Sequence, residues 1–285
     1  MDIMKKVFVC LFVVIWCCSF SLRASDTVRI REMQIPVLIE REDNVLFCFR
    51  IDATAGQVFN EIRLNFGKEV NLSAIQAVKL YYSGTRRLSD KEKNLIAPVE
   101  YISAHNPGKT LAANPSYSVL RALESKPRRE IVLKAEQELF EGPHFYWVSL
   151  QMKPKTSLFE KVTVSVSEVK VDGRRVPLFF HSERDIEHRM GVGVRHAGDD
   201  GSAAFRIPGL VTTNQGTLLG VYDVRYNNSA DLQEHIDIGL SRSTDGGKTW
   251  EKMRIPVSFG ETGGLPKGQN GVGDPAILVD TKTNC

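Results

Sequence analysis

The sequence is short of cysteine, of clustered charge and of long apolar runs, and each shortage removes a class of protein. Cys10, Cys17 and Cys18 fall in an N-terminal segment that reads as a leader, which leaves Cys48 and Cys285. Two cysteines do not make a disulfide scaffold. Cys48 sits in the apolar run Val45–Phe49 and reads as a buried thiol in a strand, while nothing names a partner for Cys285. The histidines are scattered, with neither HExxH nor a Cys/His cluster, so no metal site and no cofactor are expected.

Charge is equally unremarkable. Lys and Arg number 37 against 34 Asp and Glu, a formal +3. Removing the leader takes away Lys5, Lys6, Arg23 and Asp2 and leaves a nearly neutral chain. No basic stripe offers itself to nucleic acid, whose binding rests on gathered Lys and Arg. Lys126-Pro127-Arg128-Arg129 reads as a solvated turn. The main apolar run, Val7–Phe20, falls short of the about 20 residues of a membrane-crossing helix. It follows Lys5 and Lys6 and precedes the small residues Ala24 and Ser25, the order of a secretory signal peptide. Residues 1–24 are therefore expected to direct export across the inner membrane, to the periplasm, the cell surface or the medium. A retained anchor is the alternative. Bulky Trp16 before Cys17 argues against lipid attachment there. No stable membrane span is expected once the leader is gone.

What remains is an ordinary globular composition, 42% apolar and 25% charged, in 285 residues, enough for two domains. Residues 25–185 read as many short strands. Glu61–Phe66 and Val162–Ser167 alternate polar and apolar, and Tyr146, Val148, Leu150 and Met152 share one face. Gly, Pro, Asn and Asp punctuate these runs as a β-sandwich requires. A single helix is a candidate around Tyr117–Leu123. The aromatic run Phe145-Tyr146-Trp147 suits either core packing or sugar stacking, and its alternation favours core. The charged stretch Ser182–Arg189 marks a junction near residue 185. Residues 186–285 are richer in Gly and show no helical period, with strand-like runs at Gly209–Tyr222 and Ile236–Arg242. Ala276–Val279 looks like a further strand cut off mid-fold.

Two short patterns in this second part carry chemistry. In Phe205-Arg206-Ile207-Pro208, burying Phe205 and Ile207 would turn Arg206 the other way, toward a cleft. Its guanidinium is a flat fork of donors that matches a carboxylate. Alone, Arg206 would read as a surface arginine with a packed stem, like most arginines in strands. In Ser243-Thr244-Asp245-Gly246-Gly247-Lys248-Thr249-Trp250, Asp245 and two glycines make a tight turn that Trp250 anchors. That is a folding device, and Asp245 is expected to have no catalytic role.

In this order the two patterns resemble the bacterial sialidase (exo-α-neuraminidase) family. Phe205–Pro208 resembles its FRIP motif. Ser243, Asp245, Gly247, Thr249 and Trp250 match its Asp box. Residues 27–180 resemble, more loosely, the sandwich that precedes the catalytic domain in some of its members. The resemblance implies an all-β chain, a β-sandwich followed by about one and a half blades of a six-bladed β-propeller. It implies that sialylated glycans are the partner and that Arg206 is the first of three arginines gripping the sugar carboxylate. Asp231 would be the acid/base, Arg225 a lining residue of the glycan pocket, and Asp274 a contact to sugar hydroxyl or amide groups. Sialidases use a tyrosine nucleophile, which meets less repulsion from an anionic substrate than a carboxylate would. Neither Tyr222 nor Tyr226 lies in the matching context, so that tyrosine, its activating glutamate and two further arginines are expected in later blades. This polypeptide alone is expected to be inactive. A solvated turn is the plain alternative for Asp231, and Asp223 and Asp237 read as structural or solvated. A non-catalytic adhesion protein is the rival function. Linkage preference and oligomeric state are not encoded in these residues.

Overall fold

The computed structural model describes residues 27–32, 35–85, 118–181 and 187–283. The expected leader, Tyr117, the junction at residue 185 and Cys285 lie outside the described residues. Among the described residues no helix is long and apolar enough to cross a membrane.

The strands in chain order are β1 (Val28–Glu32), β2 (Val37–Leu38), β3 (Asn44–Ala53), β4 (Gln57–Phe66), β5 (Ile75–Gly84), β6 (Val119–Glu124), β7 (Glu130–Leu139) and β8 (Gly142–Met152). There follow β9 (Lys161–Val171), β10 (Arg174–Arg175), β11 (Leu178–Phe180), β12 (Glu187–Gly191), β13 (Ala204–Thr212), β14 (Leu218–Arg225), β15 (Ile236–Ser243) and β16 (Arg254–Val257). One sheet runs β11-β1-β3-β8-β5-β6 and a second β2-β12-β9-β4-β7, with β10 on β9. β13 to β16 form a separate four-stranded meander, the form of a propeller blade.

Period-two alternation explains the sandwich core. Tyr146, Val148, Leu150 and Met152 of β8 are all buried, facing Ile62 and Leu64 of β4 and Val162 and Val169 of β9 in one cluster. Phe49 stacks on Tyr146 at 5.0 Å, and Phe59 meets both rings edge-on at 5.8 and 4.8 Å. The buried valines of β9 change phase, from Val162, Val164 and Val166 to Val169 and Val171. The slip is a β-bulge, since Arg63 pairs with Glu168 and the next residue, Leu64, with Val166. Trp147, also buried, stacks on Tyr81 at 4.2 Å and donates to Ser118 Oγ at 3.0 Å. Phe145 stays half-buried. Core packing therefore wins for most of this aromatic run. The residues of Lys126–Arg129 form an exposed connection between β6 and β7, apart from half-buried Pro127.

Some sequence expectations are corrected. The candidate helix is, in its described part, the edge strand β6, whose Ala122 pairs with Leu80. Sheet pairing overrides a spacing that a helix would also accept. Ala276–Val279 forms no strand among the described residues, because a strand exists only where a neighbour supplies the ladder. The sandwich also runs past residue 185. β12 pairs with β9 through His188 and Val162, and with β2 through Met190 and Val37. Just beyond it, Gly193 N donates to Glu40, and Arg41 Nη2 lies 2.9 Å from His196 Nδ1.

Candidate active site

The Phe205–Pro208 motif opens the blade on β13. Arg206 pairs with Asp223 of β14, and the next pair is Gly209 with Val221, so the intervening Ile207-Pro208 bulges out. Ile207 takes φ 52° there. A bulge accommodates proline, which has no N–H for the ladder, and re-aims neighbouring side chains. Phe205 packs edge-on against Tyr222 at 5.4 Å. Phe205 and Ile207 are half-buried rather than buried as expected. Pairing across the ladder puts Arg206 and Asp223 on one face of the sheet, and period two puts Arg225 there as well.

The two arginines meet the loop that follows β14. Arg206 Nη1 donates to Ser229 O at 3.2 Å and lies 3.5 Å from Asp231 Oδ1. The Arg206 side chain is 43% exposed and that of Asp231 72%. Arg225 differs, being only 2% exposed, as is Asp223. Its Nη2 reaches Asp223 Oδ2 at 2.8 Å and Asp231 Oδ1 at 2.6 Å, and its Nε reaches Asp223 Oδ2 at 3.3 Å. Nη1 donates to Ser229 O and Ala230 O at 2.9 and 2.7 Å. A guanidinium has five N–H donors, and all of them are engaged. Burial works against the Arg225 charge, but its bonds to Asp223 and Asp231 outweigh that and hold its pKa above the ordinary value.

Asp274 completes the group from a distant stretch of chain. Its backbone N donates to Asp223 Oδ1 at 2.9 Å, its φ is 58°, and the residue is exposed. The structure thus gathers Arg206, Arg225, Asp231 and Asp274 around Asp223, which the sequence reading set aside. The available signal was the Asp223-Val224-Arg225 spacing, which aims both charges at one face of a strand. Asp237 is buried and accepts from Tyr226 OH at 3.1 Å. Burial first, then the Asp237 charge, pushes the Tyr226 phenol up to about 12. Tyr222 is buried too, its hydroxyl 2.6 Å from Ser241 Oγ.

The Asp box turns the chain from β15 toward β16. Asp245 accepts from Ser243 Oγ at 2.8 Å, from Thr249 N at 3.0 Å and from Thr249 Oγ1 at 2.6 Å. Those bonds, that of the Thr249 hydroxyl foremost, lower its carboxyl to about 2. Gly247 takes φ 84°, a conformation side chains disfavour, and donates to Ser243 Oγ at 3.0 Å. Register places this turn by the Leu218–Ser243 pair, at the opposite end of the blade from the Arg225–Ile236 pair. At the rise of a strand these ends lie roughly 23 Å apart, which keeps Asp245 away from the arginines.

A two-sheet sandwich ahead of an Asp-box blade, with two arginines gathered at one blade end, defines an all-β class of protein. Residues 25–175 match the family model described as the N-terminal domain of BNR-repeat neuraminidase. A sialidase of Bacteroides fragilis (strain YCH46) is 62% identical over 282 residues, covering 99% of this chain and 52% of that protein. A Micromonospora viridifaciens sialidase is 41% identical over 86 residues, 30% of this chain and 12% of that one. The solved structure of the Hadza microbial sialidase Hz136 superposes with a TM-score of 0.76 at 52% identity, covering 90% of this chain and 49% of that chain. The chain belongs to the BNR-repeat neuraminidases, the bacterial sialidase family. It spans about half the length of the Bacteroides fragilis protein and of the Hadza sialidase.

Proposed function

We propose that the protein is an exo-α-sialidase, a glycoside hydrolase releasing terminal sialic acid from glycoproteins, glycolipids and oligosaccharides. The observation that carries this reading is the half-exposed Arg206 guanidinium beside Asp231 at one end of the blade. Its remaining donors are available to a sugar carboxylate, which would distinguish acidic from neutral sugars. Cleavage builds positive character beside that carboxylate, and the leaving oxygen needs a proton. Asp231, on an exposed loop beside the same guanidinium, is the proposed donor. Asp274, exposed and held by its backbone, is proposed to contact sugar hydroxyl or amide groups. The tyrosine nucleophile, its glutamate and two more arginines would come from further blades of a six-bladed ring. The segment Lys5–Ser25 supports export as the route to such substrates.

The test is release of free sialic acid from sialylated glycans by the complete protein, with Arg206→Ala as control. Turnover that the substitution removes supports the reading. Binding without release, retained in the variant, would replace it with the adhesion reading.

A further inference from the structure

We propose that Asp223, acting through Arg225, is a positioning residue for the proton donor Asp231, an inference that rests on the sialidase reading above. The geometry separates the two arginines of the site. Arg206 is half open to solvent, whereas Arg225 is sealed, with every donor committed. Three of the acceptors around Arg225, the carbonyls of Ser229 and Ala230 and the Asp231 carboxylate, belong to one short stretch of the loop after β14. Arg225 is therefore a staple that fastens the Asp231 loop to the blade. Asp223 holds the staple straight, because its Oδ2 receives both Nε and Nη2. Its other oxygen, Oδ1, accepts from Asp274 N. One buried carboxylate thus sets the Asp231 loop and the Asp274 backbone at a fixed separation. The loop has a second brace in Glu234, whose two oxygens receive Asn227 Nδ2 and Asn228 Nδ2 at 3.1 and 3.2 Å.

Asparagine at position 223 cannot satisfy both sides. One face of its amide is a donor, so it keeps either the Asp274 N–H bond or the Arg225 fork. The loop then loses its reference to the blade while Arg206 keeps its own. The consequence is specific to the leaving group. An unactivated sialoside needs the proton from Asp231, whereas an aryl sialoside with a good leaving group does not.

The experiment compares kcat/KM of Asp223→Asn on sialyl-lactose and on an aryl sialoside, in the complete protein and in an Asp231→Ala background. The expected result is a loss at least about tenfold greater on sialyl-lactose than on the aryl substrate. In the Asp231→Ala background the same substitution should cost less than about twofold, since residues acting as one unit are not additive. Equal loss on both substrates, or additive losses, would overturn the proposal, because a variant that is merely less folded loses both activities together. If the unsubstituted protein cleaves neither substrate, the sialidase reading fails by itself. The staple is then judged from the Arg225 Nε–H resonance, whose slow solvent exchange should be lost in Asp223→Asn, and an unchanged signal would overturn it.

Discussion

Arg206 and Asp223 stand opposite one another across the β13–β14 pair, yet the Arg206 guanidinium reaches beyond that carboxylate, to Ser229 and Asp231. Asp223 is already taken by Arg225 and Asp274 N. That division of labour leaves Arg206 with donors to offer a ligand.

Replacing Arg206 by lysine keeps the charge and removes the planar fork. Bidentate, charge-assisted bonds are worth about 3 kcal/mol, so kcat/KM for sialosides should fall by roughly a hundredfold. Steady-state kinetics on the complete protein check this, and a loss under about threefold would place the carboxylate elsewhere.

The Asp box should respond to acid. Because the Asp245 carboxyl is lowered to about 2, its contribution is fully present above its ordinary value near 3.8. That contribution is lost as pH falls through about 2. Asp245→Ala should lower the melting temperature at neutral pH and flatten the acid limb of the melting curve. An acid limb as steep as that of the parent protein would refute this.

His188 and His144 are buried, at 3% and 0% exposure, and burial lowers both of their pKa values. A buried neutral imidazole stabilises the fold above the unfolded-state value near 6.5, and that stability drains away as pH falls toward the folded-state values. The melting temperature of the sandwich should therefore be flat above about pH 7 and decline below about pH 6. His188→Gln should make the decline shallower, as read by calorimetry across that range.

Tyr146 and Phe59 touch in the sandwich core but should answer mutation oppositely. The Tyr146 hydroxyl is buried with no hydrogen-bond partner among the described residues, so Tyr146→Phe should be neutral or stabilising by about 1 kcal/mol. Phe59→Ala should cost about 3–5 kcal/mol through the cavity it opens. Urea unfolding of both variants decides the point.

Much of this molecule was legible in the sequence, for local reasons. Alternation named the buried face of β8, and Asp245 with its glycines announced a turn, because both signals lie within a few residues. Partnership between distant segments was not legible. The residues of β6 read as helix until β5 supplied a ladder, and Ala276–Val279 read as strand although no ladder is supplied among the described residues. The Asp223-Val224-Arg225 spacing was local and could be read, but the bond that ties Asp223 to Asp274 N comes from 51 positions away in the chain. The phase slip in the β9 valines was visible in the letters, but only pairing with β4 identified it as a bulge.

The placement of β12 bears on any attempt to divide this protein. Cutting at residue 185, where the sequence suggests a boundary, would pull a strand from between β2 and β9. The excised N-terminal piece would carry a slot with two raw hydrogen-bonding edges, an invitation to self-association. A glycan-array result obtained on such a piece would report a damaged sheet, so a faithful division keeps everything through Gly191 with the sandwich.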